Sequence, residues 1–408
     1  MASPLQGVKV LDLSRVLAGP WASQTLADLG ADVIKIERPG SGDDTRAWGP
    51  PYARDANGKE TAESAYFLAA NRGKKSVTVD IAASEGQTIV SALAEQSDIV
   101  IENFKVGALA KYGLDYASLA SLNPGLIYCS ITGFGQSGPY AARPGYDFMI
   151  QGLGGLMSVS GHPDGAPGSG PMKTGVAVAD LFSGLYATTA ILAALHRRHA
   201  TGLGDHIDIA LLDCQVAMLA NQAMNYLTTG QSPIRLGNAH PNIVPYEAFA
   251  TRDGHLILAV GNDAQFAAFC HLAGCENLAK DARFATNPAR VEHRAALTPL
   301  VADVVKTRTT HDWLDALNAA NVPAGPINTI KQVFADRCVN SRGLVHHLPH
   351  SSAGTVPSVA SPMRFLNSEN GSKNTAPPTL GQHTDAVLAE RLGFTQAEIV
   401  RLRQHNVI

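Results

Sequence analysis

Val8-Lys9-Val10-Leu11-Asp12-Leu13, then Trp21-Ala22-Ser23-Gln24-Thr25-Leu26-Ala27-Asp28-Leu29, then Asp32-Val33-Ile34-Lys35-Ile36: this opening stretch decides the fold. The outer two segments are short apolar runs, and the middle one carries apolar side chains at helical spacing. They read as one strand–helix–strand unit. The alternation continues with a strand over Ser76 to Ile81, a helix over Ser84 to Glu95, a strand over Asp98 to Glu102, a short helix near Ala108 to Lys111 and a strand over Leu126 to Ile131. Strands that alternate with helices predict an α/β domain, a parallel sheet with helices on both faces.

Further out, strand-like Gly175-Val176-Ala177-Val178-Ala179 leads into a long apolar helix from Leu181 to about Ala200, closed by Thr201-Gly202-Leu203-Gly204, and a strand follows over His206 to Leu211. From about Met218 the texture changes. A helix to Leu227, a Gly/Pro/His-rich stretch from Gly237 to Pro245 and strands at Tyr246 to Phe249 and Gly254 to Val260 predict a smaller α+β domain. Val322-Pro323-Ala324-Gly325-Pro326 marks a break, and a Ser/Pro/Gly-rich tract from Ser351 to Pro378 precedes a helical tail.

The chain has 408 residues, 45% hydrophobic and 16% charged, enough to bury a sizeable core. A formal charge of −3 without any long basic run argues against nucleic acid or an anionic membrane as partner. The first residues lack a basic stretch followed by an apolar core, and the apolar run from Leu181 to Leu195 falls short of the roughly 20 residues of a membrane span. A cytoplasmic protein is expected. Its five cysteines, Cys129, Cys214, Cys270, Cys275 and Cys338, are scattered and form no Cys-x-x-Cys pair, so no metal site is expected.

Asp180 stands at the start of the long helix, where unpaired N–H groups and the positive dipole end favour an ionised carboxylate. That makes it a candidate nucleophile, although the same position suits a plain helix cap. The loop Gly133-Phe134-Gly135-Gln136-Ser137-Gly138-Pro139 follows a strand, where ligands of open α/β sheets settle, or it is ordinary turn chemistry. Arg15, Arg38, Arg72 with Lys74 and Lys75, and Lys105 with Lys111 recur near strand ends and would hold phosphates if gathered at one edge. His240 and Tyr146-Asp147 are open to a substrate or a structural role.

Several segments together resemble the class III CoA-transferases, the group that includes formyl-CoA:oxalate and carnitine CoA-transferases. They are Leu11-Asp12-Leu13-Ser14-Arg15-Val16-Leu17-Ala18-Gly19-Pro20, Ile34-Lys35-Ile36-Glu37-Arg38-Pro39-Gly40, Glu102-Asn103-Phe104, Ile131-Thr132-Gly133-Phe134-Gly135-Gln136, Ala179-Asp180, Gly325-Pro326-Ile327-Asn328 and Leu380-Gly381-Gln382-His383-Thr384. Within the group, Gly42-Asp43-Asp44-Thr45-Arg46, Asn71-Arg72, Lys74-Lys75-Ser76, Gly145-Tyr146-Asp147 and Ile243-Val244-Pro245-Tyr246 are most similar to the succinate–hydroxymethylglutarate (glutarate) enzymes.

The resemblance implies that Asp180 is the nucleophile, and that Val16, Leu17, Arg38, Val79, Asn103, Phe104, Lys111 and Tyr146 bind CoA. CoA and its acyl thioesters would be substrates, with no permanent cofactor. Arg15, Lys173 and His240 are the candidates for holding the far carboxylate of a dicarboxylic acid, because a buried second charge must be paired. The resemblance also implies an interlocked homodimer with a Rossmann-like large domain built from both chain ends, over 1–215 and 326–408, and a smaller inserted domain over 216–325. One departure stands out: the glycine-rich loop that covers the site in oxalate-using members is missing, and Gly237 to Tyr246 occupies that region.

An α-methylacyl-CoA racemase of the same fold is the alternative. Its base is a histidine immediately before an aspartate, and this chain has Tyr146 there, a phenol of ordinary pKa near 10 and a poor base at neutral pH. A dinucleotide-dependent oxidoreductase would need a glycine fingerprint after the first strand. The chain instead runs Ser14-Arg15-Val16-Leu17-Ala18-Gly19-Pro20.

Overall fold

The computed structural model describes residues 3–367 and 375–408, so part of the Ser/Pro/Gly-rich tract lies outside the described residues. Six strands, β1 (Lys9–Asp12), β2 (Asp32–Glu37), β3 (Lys74–Thr78), β4 (Ile99–Glu102), β5 (Ile127–Thr132) and β6 (Asp205–Ala210), form one sheet. Its order is β3-β2-β1-β4-β5-β6, and every pairing is parallel. This is the doubly wound order of dinucleotide-binding folds, in which the winding reverses between β1 and β4.

The strands sort their side chains to two faces because successive residues point opposite ways. Leu11, Ile34, Val77 and Val100 pack on one side with Ile89, Val90 and Leu93 of the helix Ser84–Glu95 and with Val387, Leu388, Ile399 and Leu402 of the C-terminal helices. Val10, Val33, Ile99 and Ile127 pack on the other with Ala22 and Leu26 of the helix Ala18–Asp28 and with Ala187, Ile191 and Leu195 of the helix Val178–Thr201. Burial on both faces explains why β4 and β5 are fully buried throughout.

The chain forms two compact units: one of Met1–Leu156, Thr174–Thr228 and Asn340–Ile408, the other of Met157–Lys173 and Thr229–Val339. Against the expected span of 216–325, the smaller unit starts later, ends later and takes in Met157–Lys173. The reason is visible in its antiparallel sheet of β7 (Tyr246–Ala250), β8 (His255–Ala259) and β9 (Ala324–Pro326), ordered β9-β8-β7. The breaker sequence around Pro323 is therefore a strand inside this unit, not a boundary. Phe249, Leu256, Leu258, Phe266, Phe269 and Trp313 form its separate core.

Two local expectations change. Gly175 to Ala179 is not a strand: Thr174 N–H donates to Gln151 Oε1 and Ala179 N–H to Asp147 Oδ1, so side chains rather than a neighbouring strand satisfy this backbone. The long helix begins at Val178, and with 24 residues it is long and apolar enough, by length and composition, to cross a bilayer. Its Ala179, Ala187, Ile191 and Leu195 are instead buried on the sheet.

Candidate active site

β1 and β4 end side by side at the reversal point, and the residues after them are stitched together. Arg15 N–H donates to Asn103 Oδ1 at 2.9 Å, while Asn103 Nδ2 donates back to the Arg15 carbonyl at 2.7 Å. Ligands of open α/β sheets bind at such a point. Two cavities open here. The larger, about 300 Å³, has Arg38, Val79 and Lys111 in its wall; the smaller, about 160 Å³, has Val16, Leu17, Asn103, Tyr146 and Asp180. Arg15, Asp44 and Phe104 line both, so the two cavities adjoin. All eight residues expected to bind CoA line one or the other.

The cations divide sharply. Arg38 and Lys111 are exposed, with no carboxylate partner among the described residues, and Lys111 Nζ sits 4.6 Å from the Tyr112 ring centre. Arg72, Lys74 and Lys75 do not join them. They lie at or just before the amino end of β3, where Arg72 pairs with Asp28 and Lys75 with Asp32, while the buried Lys74 side chain reaches to Asp12 at the end of β1. Arg15 is half exposed, paired with Asp44 at 3.0 Å, and its guanidinium lies 5.8 Å from the Phe104 ring. Lys173 and His240 belong to the smaller unit and are not wall residues of either cavity. There the His240 ring packs 5.2 Å from Tyr246 and accepts the Asn242 N–H, and burial followed by the Arg294 charge lowers its pKa.

Asp180 lies in the first turn of the helix Val178–Thr201, and its carboxylate accepts no hydrogen bond from the described residues. The helix end is capped by Asp147, whose Oδ1 takes the Ala179 N–H at 2.9 Å and whose Oδ2 takes the Gln151 amide at 2.8 Å. That changes the expected electrostatics. Burial comes first and the neighbouring Asp147 charge second, and together they push the Asp180 carboxyl up to about 7. A basic, weakly solvated carboxylate is a better nucleophile than a fully hydrated one, provided it is ionised.

The glycine loop has a packing role. A Cβ on Gly133 would lie 2.6 Å from the Gly145 Cα, and one on Gly145 would lie 2.3 Å from the Gly133 Cα. Two backbones cross there, which seats Tyr146 and Asp147 beside the end of β5.

Sequence reading missed two neighbours. Arg143 lines the Asp180 cavity, held 4.6 Å from the Tyr140 ring and 5.2 Å from the Phe134 ring, without a carboxylate partner among the described residues. Its position just before Pro144-Gly145-Tyr146-Asp147 was the available signal. Tyr66 stacks edge-on against Trp48 at 5.1 Å, and burial, then the charge of Asp180, raises its phenol to about 12. Nothing local in Ala65-Tyr66-Phe67 gave this away.

Known proteins resemble the chain over nearly its whole length. The model of the CoA-transferase family III matches residues 5–384. The chain is 53% identical to the succinate–glutarate CoA-transferase of Agrobacterium fabrum, over 95% of each chain. It is 42% identical to the human succinyl-CoA:glutarate CoA-transferase, over 99% of this chain and 90% of the other. Among solved structures, a CAIB/BAIF family protein from Brucella suis superposes with a TM-score of 0.83 at 52% identity, covering 96% of this chain and all of that one. With a family match over most of its length and relatives above 40% identity, the chain belongs to the CoA-transferase family III.

Proposed function

We propose that this enzyme transfers CoA between succinyl-CoA and glutarate, or a dicarboxylic acid of similar size, through a covalent intermediate on Asp180. The observation that carries the reading is a half-buried carboxyl group, without a hydrogen-bond partner among the described residues, in the smaller cavity, beside a second cavity whose Arg38 and Lys111 have no carboxylate partner among the described residues and suit phosphates. The names of the relatives supply the acids.

An Asp180 oxygen attacks the succinyl carbonyl; the C–S bond breaks, and the thiolate leaves with its electron pair. The thiolate then attacks the Asp180 carbonyl carbon and expels succinate, leaving an aspartyl-CoA thioester. Glutarate attacks that thioester, CoA leaves again as thiolate, and its return to the glutaryl carbonyl frees Asp180. Every bond made is matched by one of the same kind broken.

Each dicarboxylate carries a second charge into the cavity. Arg143 and Lys105 are the cations on this wall without a carboxylate partner among the described residues, and Arg15 joins them if it releases Asp44. The site is further supported by pairing of two copies, because Phe182, Leu185 and Tyr186 of the long helix are 40–47% exposed and side by side.

The test is direct. The protein is incubated with succinyl-CoA and a panel of acids, new acyl-CoA species are followed by mass, and hydroxylamine, which displaces CoA from an aspartyl thioester, is used to convert Asp180 to a hydroxamate. Asp180→Asn should abolish exchange while the folded protein still binds CoA. Undiminished exchange in that variant would overturn the reading.

A further inference from the structure

Val16 is a β-branched residue with φ of 71°, in the left-handed region that such side chains rarely adopt. It sits on the Asp180 cavity wall between Arg15 and Leu17. Something must hold it there. Its N–H donates to both Asp43 carboxylate oxygens, each at 3.2 Å. Asp43 is itself fixed by Thr45, whose N–H and hydroxyl donate to Oδ1 at 2.9 and 2.8 Å, and by Lys35, whose Nζ lies 2.9 Å from Oδ2. The Lys35 and Asp43 side chains are at most 1% exposed.

Lys35 Nζ also donates to the Ser14 carbonyl at 2.6 Å. One ion pair thus grips both ends of a three-residue turn, the Ser14 carbonyl through its cation and the Val16 N–H through its anion. Asn103 holds the middle, taking both backbone groups of Arg15. The amides of Leu17 and Ala18 come immediately after this turn, face no hydrogen-bond acceptor among the described residues and border the cavity with Asp180.

A buried ion pair is a weak source of stability, because desolvation offsets most of its attraction. Fixing a geometry is the use it serves better. We propose that Lys35–Asp43 is a positioning pair that holds Val16 in its left-handed conformation and so places the Arg15–Ala18 backbone against the reacting carbonyl at Asp180. Asp43 lines the larger cavity and not the one that holds Asp180. The role beside Asp180 rests on the transferase reading; the conformational clamp stands apart from it.

The experiment is a double-substitution cycle between Asp43→Asn and Val16→Gly, read in succinyl-CoA/glutarate exchange and in thermal unfolding. Misplacing a turn by an ångström costs about a hundredfold in rate. Asp43→Asn should therefore lower kcat by about tenfold to a hundredfold, with a smaller change in KM for succinyl-CoA. On the Val16→Gly background the same substitution should cost only a few-fold, because glycine adopts positive φ without a clamp. Val16→Ala should give no such rescue.

The milder Thr45→Val, which loosens Asp43 and leaves its charge, reads the same coupling should Asp43→Asn fold poorly. Thermal unfolding decides independently of chemistry: Val16→Gly should melt above Val16→Ala, the reverse of their order at an ordinary position. An equal loss from Asp43→Asn on both backgrounds, or Val16→Ala melting at or above Val16→Gly, would sink the clamp. A wild-type protein that exchanges no acyl group would instead sink the transferase reading, and the melting comparison would still stand.

Discussion

A carboxylate attacks only when ionised, so the protonation of Asp180 should govern the acid side of the rate. Burial, and after it the Asp147 charge, raises the group to about 7, and a raised carboxyl loses its charge as pH falls through that value. The expected kcat/KM profile therefore drops about tenfold per pH unit below neutrality, where an ordinary aspartate would keep it flat to about pH 4. Asp147→Asn keeps an oxygen for the Ala179 N–H and removes the like charge. It should move the acid limb to lower pH, by less than the full displacement because burial is the larger cause. A limb that stays in place would show that Asp147 does not act on the nucleophile. At this scale the sequence exposed half of the picture. Asp180 at a helix start was legible, but burial, and after it the charge of Asp147, whose carboxylate caps the helix from 32 residues before Ala179, reverses the sign expected from the helix end alone.

At the scale of elements, two helices bring the site together. Gly184 of the helix Val178–Thr201 lies so close to the helix Ala18–Asp28 that an added Cβ would stand 2.7 Å from the Ala18 carbonyl and 3.1 Å from the Trp21 Cβ. The backbone carbonyl cannot rotate away, so Gly184→Ala should force the helices apart. A loss of about 1–3 kcal/mol is expected from such overpacking, more than the ~1 kcal/mol that alanine returns in helix propensity. The denaturant midpoint should fall, and exchange activity with it, because Ala18 borders the Asp180 cavity. A more stable variant would mean that propensity, not packing, rules this position. Elements whose signals are local were well read: the helix Ser84–Glu95 falls where expected, and β2 and β5 fall within a residue or so. The short hairpin of Tyr52–Arg54 and Glu60–Ser64 was not, since three residues and an exposed face leave no alternation to see. Gly175 to Ala179 failed for the opposite reason. Its alternation was there, but its hydrogen bonds go to Gln151 and Asp147.

For the whole molecule, the strand order β3-β2-β1-β4-β5-β6 is a long-range fact that no window of sequence holds, although alternation already required a parallel sheet. The apolar surface is likewise invisible to composition. Phe182, Leu185 and Tyr186 fall at helical spacing on one side of the long helix, whose other side is buried on the sheet. A helix with both sides apolar is usually covered on both. Pairing of two copies through this face predicts twice the chain mass in sedimentation or light scattering at working concentrations. Phe182→Asp combined with Tyr186→Lys should shift that mass to the single chain, or leave the variant insoluble if no folded monomer persists. Both results mark the face as covered, and unchanged dimers would place the contact elsewhere. Asp180 stands two residues before Phe182, so the same variant should also lose exchange activity. The order of events separates the two effects: if pairing supports the site, activity per chain should fall with dilution along the dimer dissociation curve of a mild variant such as Leu185→Ala, whereas direct damage near Asp180 would lower it equally at every concentration.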